Sequence, residues 1–161
     1  MIILGIDPGI AITGYAFVRC QGNQFSPICY GAIRTEANTP LASRLVIIEE
    51  KLQSLITEFK PDTCAIESLF FSKNVKTAMT VGQARGVLVL TAAKNGLDIA
   101  EYTPSNVKLA VCGYGGADKR QMQQMVKSLL KLTETPKPDD VADALGIAIC
   151  HAHSHKVNSL K

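Results

Sequence analysis

Met1-Ile2-Ile3-Leu4-Gly5-Ile6-Asp7-Pro8-Gly9-Ile10-Ala11-Ile12-Thr13-Gly14 opens the chain with an aliphatic run that stops on a carboxylate. An Asp after so apolar a run lies at the end of a buried strand, where desolvating the ion is costly unless a metal or a cationic group compensates it. Asp before Pro-Gly is also a common turn former. Taken alone, the stretch leaves a structural role and a chemical role both open.

Outward from this run, strand signals continue at 13–19 and 26–35 around the turn Gln21-Gly22-Asn23, which predicts an antiparallel three-stranded opening. Leu41, Leu45, Ile48, Leu52, Leu55, Ile56 and Phe59 then recur at helical spacing, and Lys60-Pro61 ends that helix before a fourth strand at 63–67. A helix over 74–94 precedes a fifth strand at 97–102. Thr103-Pro104 reads as an N-cap followed by proline at the first helical position, and helices finish the chain. The order predicts an α/β protein with a mixed five-stranded sheet flanked by helices, in which strands 1 and 4 lie side by side. One domain is expected over 1–155, with 156–161 as a frayed tail; 161 residues are enough for a proper core.

Two later segments repeat the acid-after-apolar arrangement. Thr63-Cys64-Ala65-Ile66-Glu67 ends a strand on Glu67, which adjacent strands would present beside Asp7. Pro138-Asp139-Asp140-Val141-Ala142-Asp143-Ala144-Leu145 begins a helix, and the three-residue spacing of Asp140 and Asp143 puts both on one face. Acids at a helix start also cap it and complement its dipole, which accounts in part for Asp139. That account is weaker for Asp143, a turn inside and surrounded by apolar residues. Asp7, Glu67, Asp140 and Asp143 make an all-oxygen set suited to hard cations, with magnesium the physiological choice and manganese a substitute. Four acids can hold two ions, and the matching reaction is phosphodiester hydrolysis with an activated water and a stabilised leaving oxygen.

Gly5-Ile6-Asp7-Pro8-Gly9 with Thr13-Gly14, Ala65-Ile66-Glu67, Gly82-Gln83-Ala84-Arg85-Gly86 and Asp140-Val141-Ala142-Asp143-Ala144-Leu145, in that order, resemble the RuvC-type Holliday-junction resolvases over nearly the whole chain, to about His153. The resemblance implies a ribonuclease-H-like fold, a homodimer, and magnesium-dependent paired nicking of four-way DNA junctions in recombination and repair. It makes Asp7, Glu67, Asp140 and Asp143 the catalytic, metal-holding acids, with Asp139 supporting them from behind. Some members carry His where this chain has Asp140. A RuvA-RuvB branch-migration complex is a further candidate partner.

Net charge is only +3, with 17 Lys and Arg against 14 Asp and Glu, so distribution carries more than balance. Residues 68–97 hold Lys73, Lys76, Arg85 and Lys94 and no acid, directly after Glu67. Lysines beside a carboxylate site suit a phosphodiester enzyme, since they hold the polyanion by counterion release. Some of these face solvent without contacting DNA, Lys94 first among them. A second group, Lys108, Lys119 and Arg120, flanks the Gly113-Tyr114-Gly115-Gly116 loop, which is either an ordinary interhelical connection or a close approach to a backbone. In the resemblance Lys108 and Lys119 match DNA-contacting lysines, and Phe70 matches a position that stacks on an unpaired base. Phe70 and Phe71 cannot both face one core.

The run Val87-Leu88-Val89-Leu90 predicts a helix buried all round, with Gly82 and Gly86 allowing a sheet or a dimer partner to pack closely. Five cysteines without ligand spacing argue against a disulfide framework, and no secretory leader or long apolar span is evident, so a cytoplasmic protein is expected. His151, His153 and His155 read as part of a fraying terminus. Three rivals remain. The Asp-x-Gly motif followed by Thr also occurs in actin-like ATPases, but no second copy follows here. A non-catalytic junction scaffold would not need four acids. A related nuclease acting on RNA-DNA hybrids uses the same carboxylate chemistry and is the principal alternative.

Overall fold

The computed structural model describes residues 1–69 and 75–159, with side chains at 1–69 and 77–155. Its elements run β1 (Ile2–Asp7), β2 (Ile12–Gln21), β3 (Gln24–Arg34), α1 (Leu41–Phe59), β4 (Thr63–Glu67), α2 (Val75–Lys94), β5 (Asp98–Tyr102), α3 (Pro104–Cys112), α4 (Lys119–Leu129) and α5 (Asp139–Ser159). The five strands form one sheet in the order β3-β2-β1-β4-β5. β1 to β3 pair antiparallel, as tight connections require, and β4 and β5 add parallel to β1 after helical crossovers. Pro27, which has no amide donor, sits on the edge strand β3 beside a bulge at Phe17 and Val18.

Helices cover both faces. On one, Leu4, Ile6, Phe17 and Ile66 pack with Ile48, Leu52 and Ile56 of α1 and Ala84 and Leu88 of α2. On the other, Ile3, Ala16, Val18 and Ala65 meet α5, which is backed by Val107 and Val111 of α3 and Met122 and Val126 of α4. α1 ends where Lys60 adopts a left-handed conformation, its N–H closing on the Ile56 carbonyl, and Pro61 prevents continuation. α3 starts at the Thr103 cap, with Pro104 at its first turn and Asn106 completing a reciprocal capping box.

α5 is the interior helix. From Val141 to Ala152 every residue is buried except Asp143. Its close seating depends on two glycines, because a Cβ at Gly5 would strike the Ala144 carbonyl and Ala148, and one at Gly14 would strike the Asp140 carbonyl.

Two expectations are corrected. α2 is not buried all round: Ala84, Leu88, Thr91 and Ala92 face the core, whereas Leu90 is 59% and Met79 63% exposed. A run of consecutive apolar residues hides the 100° step of a helix, which turns one of every few outward. The His-bearing stretch does not fray either. His151 is buried, its ring nitrogens 2.9 Å from the Tyr102 hydroxyl and 3.2 Å from Thr63 Oγ1, and His153 Nδ1 lies 3.2 Å from the Ala110 carbonyl. The helix brings His151 and His155 ring to ring. Helical backbone continues to Ser159, and the side chains of 156–161, expected as a tail, lie outside the described residues.

Candidate active site

Asp7 ends β1 and Glu67 ends β4. Because Ile6 pairs with Ile66 in parallel register, the two carboxylates emerge side by side at one edge of the sheet. Backbone and side-chain bonds hold both strand ends. Thr13 Oγ1 donates to the Gly9 carbonyl at 2.6 Å, tightening the loop after Asp7. Ser68 N and Oγ donate to the Tyr102 carbonyl at 2.9 and 3.1 Å, while Arg85 Nε donates to the Glu67 carbonyl at 3.3 Å. Arg85 Nη2 also stands 2.6 Å from Glu101 Oε2, an ionic contact without hydrogen-bond alignment.

The N-terminus of α5, laid over Gly14, brings Asp140 and Asp143 to the same place. Asp143 is the one residue of the buried stretch that reaches the surface, and there it lines a pocket of about 230 Å³ with Glu67, Lys108 and Lys119 over an apolar floor that includes Val107, Met122 and Ile147. Asp7 and Asp140 are not in the lining but lie within electrostatic range: Asp7 feels the charges of Glu67, Asp143 and Asp140. Burial first, then those three neighbours, push the Asp7 carboxyl up to about 8. Burial and Asp143 push Glu67 up to about 7, and burial is also the main cause that raises Asp143.

Repulsion among uncompensated acids is what a multiply charged cation relieves. Among the described residues the ion pairs are Arg85 with Glu101 and Lys119 with Asp139, so none of the four acids is in an ion pair, although the Lys119 charge eases Asp7 and Asp143 and Lys108 also eases Asp143. No group of three His, Cys, Asp or Glu among those residues is closed tightly enough to grip an ion unaided. The acids feel one another's charges, and Glu67 and Asp143 share an open pocket. That openness fits a hard cation that keeps several of its waters and takes only one or two carboxylates directly, and the all-oxygen donor set fits it as well.

Asp139 points elsewhere, as expected from its phase on the helix. Lys119 Nζ meets its Oδ2 at 2.6 Å and Gln123 Nε2 donates to its Oδ1 at 2.6 Å. This contact holds the Asp139 carboxyl below the usual range and raises Lys119, chiefly through the hydrogen bond between them. Lys119 sits at the first turn of α4 because Asp118 caps that helix, accepting from Gln121 N while Gln121 returns a bond to Asp118 N. The sequence reading missed Asp118 and Gln123. Asp118-x-x-Gln121 is a capping signal that could have found the first, whereas Gln123 becomes visible only once α4 and α5 are packed.

The Gly113–Gly116 loop is the connection from α3 to α4, with Gly113 left-handed at the helix end. Arg120 is exposed beside Lys119. Lys94 faces solvent at the far end of α2, lining a groove with α1, as expected of a lysine away from the site. Phe70 and Lys73 lie outside the described residues, and so does the Lys76 side chain.

A sheet edge and a buried helix delivering four acids beside lysines is the arrangement of a metal-dependent nuclease on the ribonuclease-H-like fold. Within that class the chain belongs to the RuvC family: residues 3–151 match the family model described as crossover junction endodeoxyribonuclease RuvC. The RuvC of Ruminiclostridium cellulolyticum is 58% identical over 160 residues, covering 99% of this chain and 96% of that protein. Alkaliphilus oremlandii RuvC is 60% identical over 154 residues, 96% of this chain and 94% of its own. The Thermus thermophilus RuvC structure in complex with a Holliday junction substrate superposes with a TM-score of 0.94 at 31% identity, covering 99% and 97% of the two chains.

Proposed function

We propose that the protein resolves four-way DNA junctions, hydrolysing one phosphodiester in each of two strands of like polarity during recombination and repair. The opening that Glu67 and Asp143 share with Lys108 and Lys119, with the buried Asp7 within reach of both acids' charges, carries this reading, and the likeness to a RuvC solved with a Holliday junction supports it. Asp7, Glu67, Asp140 and Asp143 hold divalent ions, with magnesium the choice that best suits oxygen donors and retained water. Ions held by these acids would supply an activated water and neutralise the cleaved phosphate. Lys108 and Lys119, opposite the acids, draw the DNA backbone into the pocket, and Asp139 and Gln123 orient Lys119. Phe70, Lys73, Lys76 and Arg120 extend the contact.

Two copies are needed for paired nicks. The exposed apolar residues Val46 and Leu90, which line a groove of about 350 Å³ between α1 and α2, together with exposed Met79 further along α2, offer a surface for the second copy.

The deciding experiment is magnesium-dependent cleavage of a synthetic four-way junction beside linear duplex and RNA-DNA hybrid, for wild type and Glu67→Gln. Symmetric nicks in the junction alone, lost in the variant, are expected. Preferential cutting of the hybrid would overturn the substrate assignment. Lys108→Ala and Lys119→Ala should weaken binding, each flattening the log-log salt dependence by about 0.9 for every phosphate no longer neutralised; an unchanged slope would remove them from the DNA interface.

A further inference from the structure

A second concavity, of about 640 Å³, opens between the edge strand β3 and the segment leading into α5. Its lining includes Tyr30, Lys127, Glu134, Thr135 and Lys137. Tyr30 is 42% exposed on β3, opposite Ala16 of β2, two residues along that strand from Gly14, on which the start of α5 rests. Among the described residues neither Lys127 nor Lys137 forms an ion pair.

α4 joins this shelf to the active site. Lys119 at its first turn lines the catalytic pocket, Gln123 one turn on is tied to Asp139, and Lys127 a further turn on lines the shelf. Eight residues of helix span about 12 Å at 1.5 Å each. That is three to four base-pair steps at about 3.4 Å per step along a strand. Two lysines, a tyrosine hydroxyl and a threonine hydroxyl are the donor types that hold phosphates without reading sequence.

We propose that this shelf receives the phosphate backbone of the duplex arm leaving the active site, so that the DNA track runs along α4 from Lys119 to Lys127, Lys137 and Tyr30. The proposal rests on the junction-cleaving reading above. An intact duplex offers no free base, so Tyr30 contributes its hydroxyl and not a stacking face. Glu134 is the one acid in the lining and opposes the polyanion, which makes the proposal testable in both directions.

The test is junction affinity across a salt series, with phosphate-ethylation interference, for wild type, Lys127→Gln/Lys137→Gln and Glu134→Gln, and with Lys51→Gln, exposed on α1, as a control on the opposite layer. The double variant is expected to flatten the log-log salt slope by about 1.8, two phosphates at about 0.9 each. It should also lose interference at phosphates several positions from the cut while retaining wild-type turnover at saturating enzyme. Glu134→Gln should bind more tightly, and Lys51→Gln should match wild type. Tyr30→Phe keeps the ring and should weaken binding by removing only the hydroxyl. A junction-cleaving wild type with an unchanged slope and interference pattern in the double variant would overturn the track alone. A wild type that does not cut the junction would overturn both readings.

Discussion

Asp7 concentrates the chemistry of the site in one side chain. Its carboxyl is pushed up to about 8 by burial and by Glu67, Asp143 and Asp140, so the metal-free fold is most favourable when Asp7 is protonated. The resulting stability is fully present below the ordinary carboxylate range and is lost as pH rises through about 8. Asp7→Asn should therefore raise the melting temperature of the metal-free protein at pH 8, by about 2–4 °C per kcal/mol for a chain of this size. The same variant should lose cleavage by on the order of 10²–10³-fold or more, as when a transition-state interaction is removed, and should still bind junctions. Calorimetry and a cleavage assay check the two halves, and an unchanged melting temperature would contradict the repulsion. Glu67, pushed up to about 7, adds a pH effect. Protons compete with the cation below pH 7, so cleavage at limiting metal should rise between roughly pH 6 and 9, and saturating metal should move the profile to lower pH. A profile indifferent to metal concentration would show that these carboxyls are not the ones titrating.

The helix that carries two of the acids is positioned by what it lacks beneath it. Gly14→Ala places a methyl against the Asp140 carbonyl, and overpacking of this kind costs about 1–3 kcal/mol. The start of α5 must then lift, so turnover should fall together with stability although no acid is touched. Full activity in a destabilised Gly14→Ala protein would show that α5 tolerates the shift. Much of this architecture is legible in the sequence. β4 and α1 fall where strand periodicity, helical spacing and Lys60-Pro61 put them, and Asp139, off the face that the Asp140–Asp143 spacing defines, pairs with Lys119. Less legible are features whose cause is tertiary. Gly5 and Gly14 read as parts of a motif, and only their surroundings show them to be clearance for a helix. Alternating histidines suggest a polar end, yet the apolar period of α5 runs past His151 to Ala152, and His151 is accepted because Thr63 and Tyr102 supply partners for both ring nitrogens. The Lys119 pairing with Asp139 joins residues twenty apart and leaves no local trace.

Across the molecule, the sheet separates two tasks. The face under α5, α3 and α4 builds the site, and the face under α1 and α2 ends in the exposed apolar Val46, Met79 and Leu90. Leu90→Glu should weaken self-association, as read by sedimentation, and convert paired junction nicks into single ones while the monomer's fold is preserved, because Leu90 is 59% exposed. An unchanged sedimentation profile would place the second copy elsewhere. The burial of α5 has one more consequence. Amides from Leu145 to Ala152, bonded within the helix and buried, should exchange with solvent only through global unfolding. An opening that lifts α5 off Gly5 and Gly14 would separate Asp140 and Asp143 from Asp7 and Glu67. A copy whose α5 has come loose should thereby lose its cut along with its discrimination.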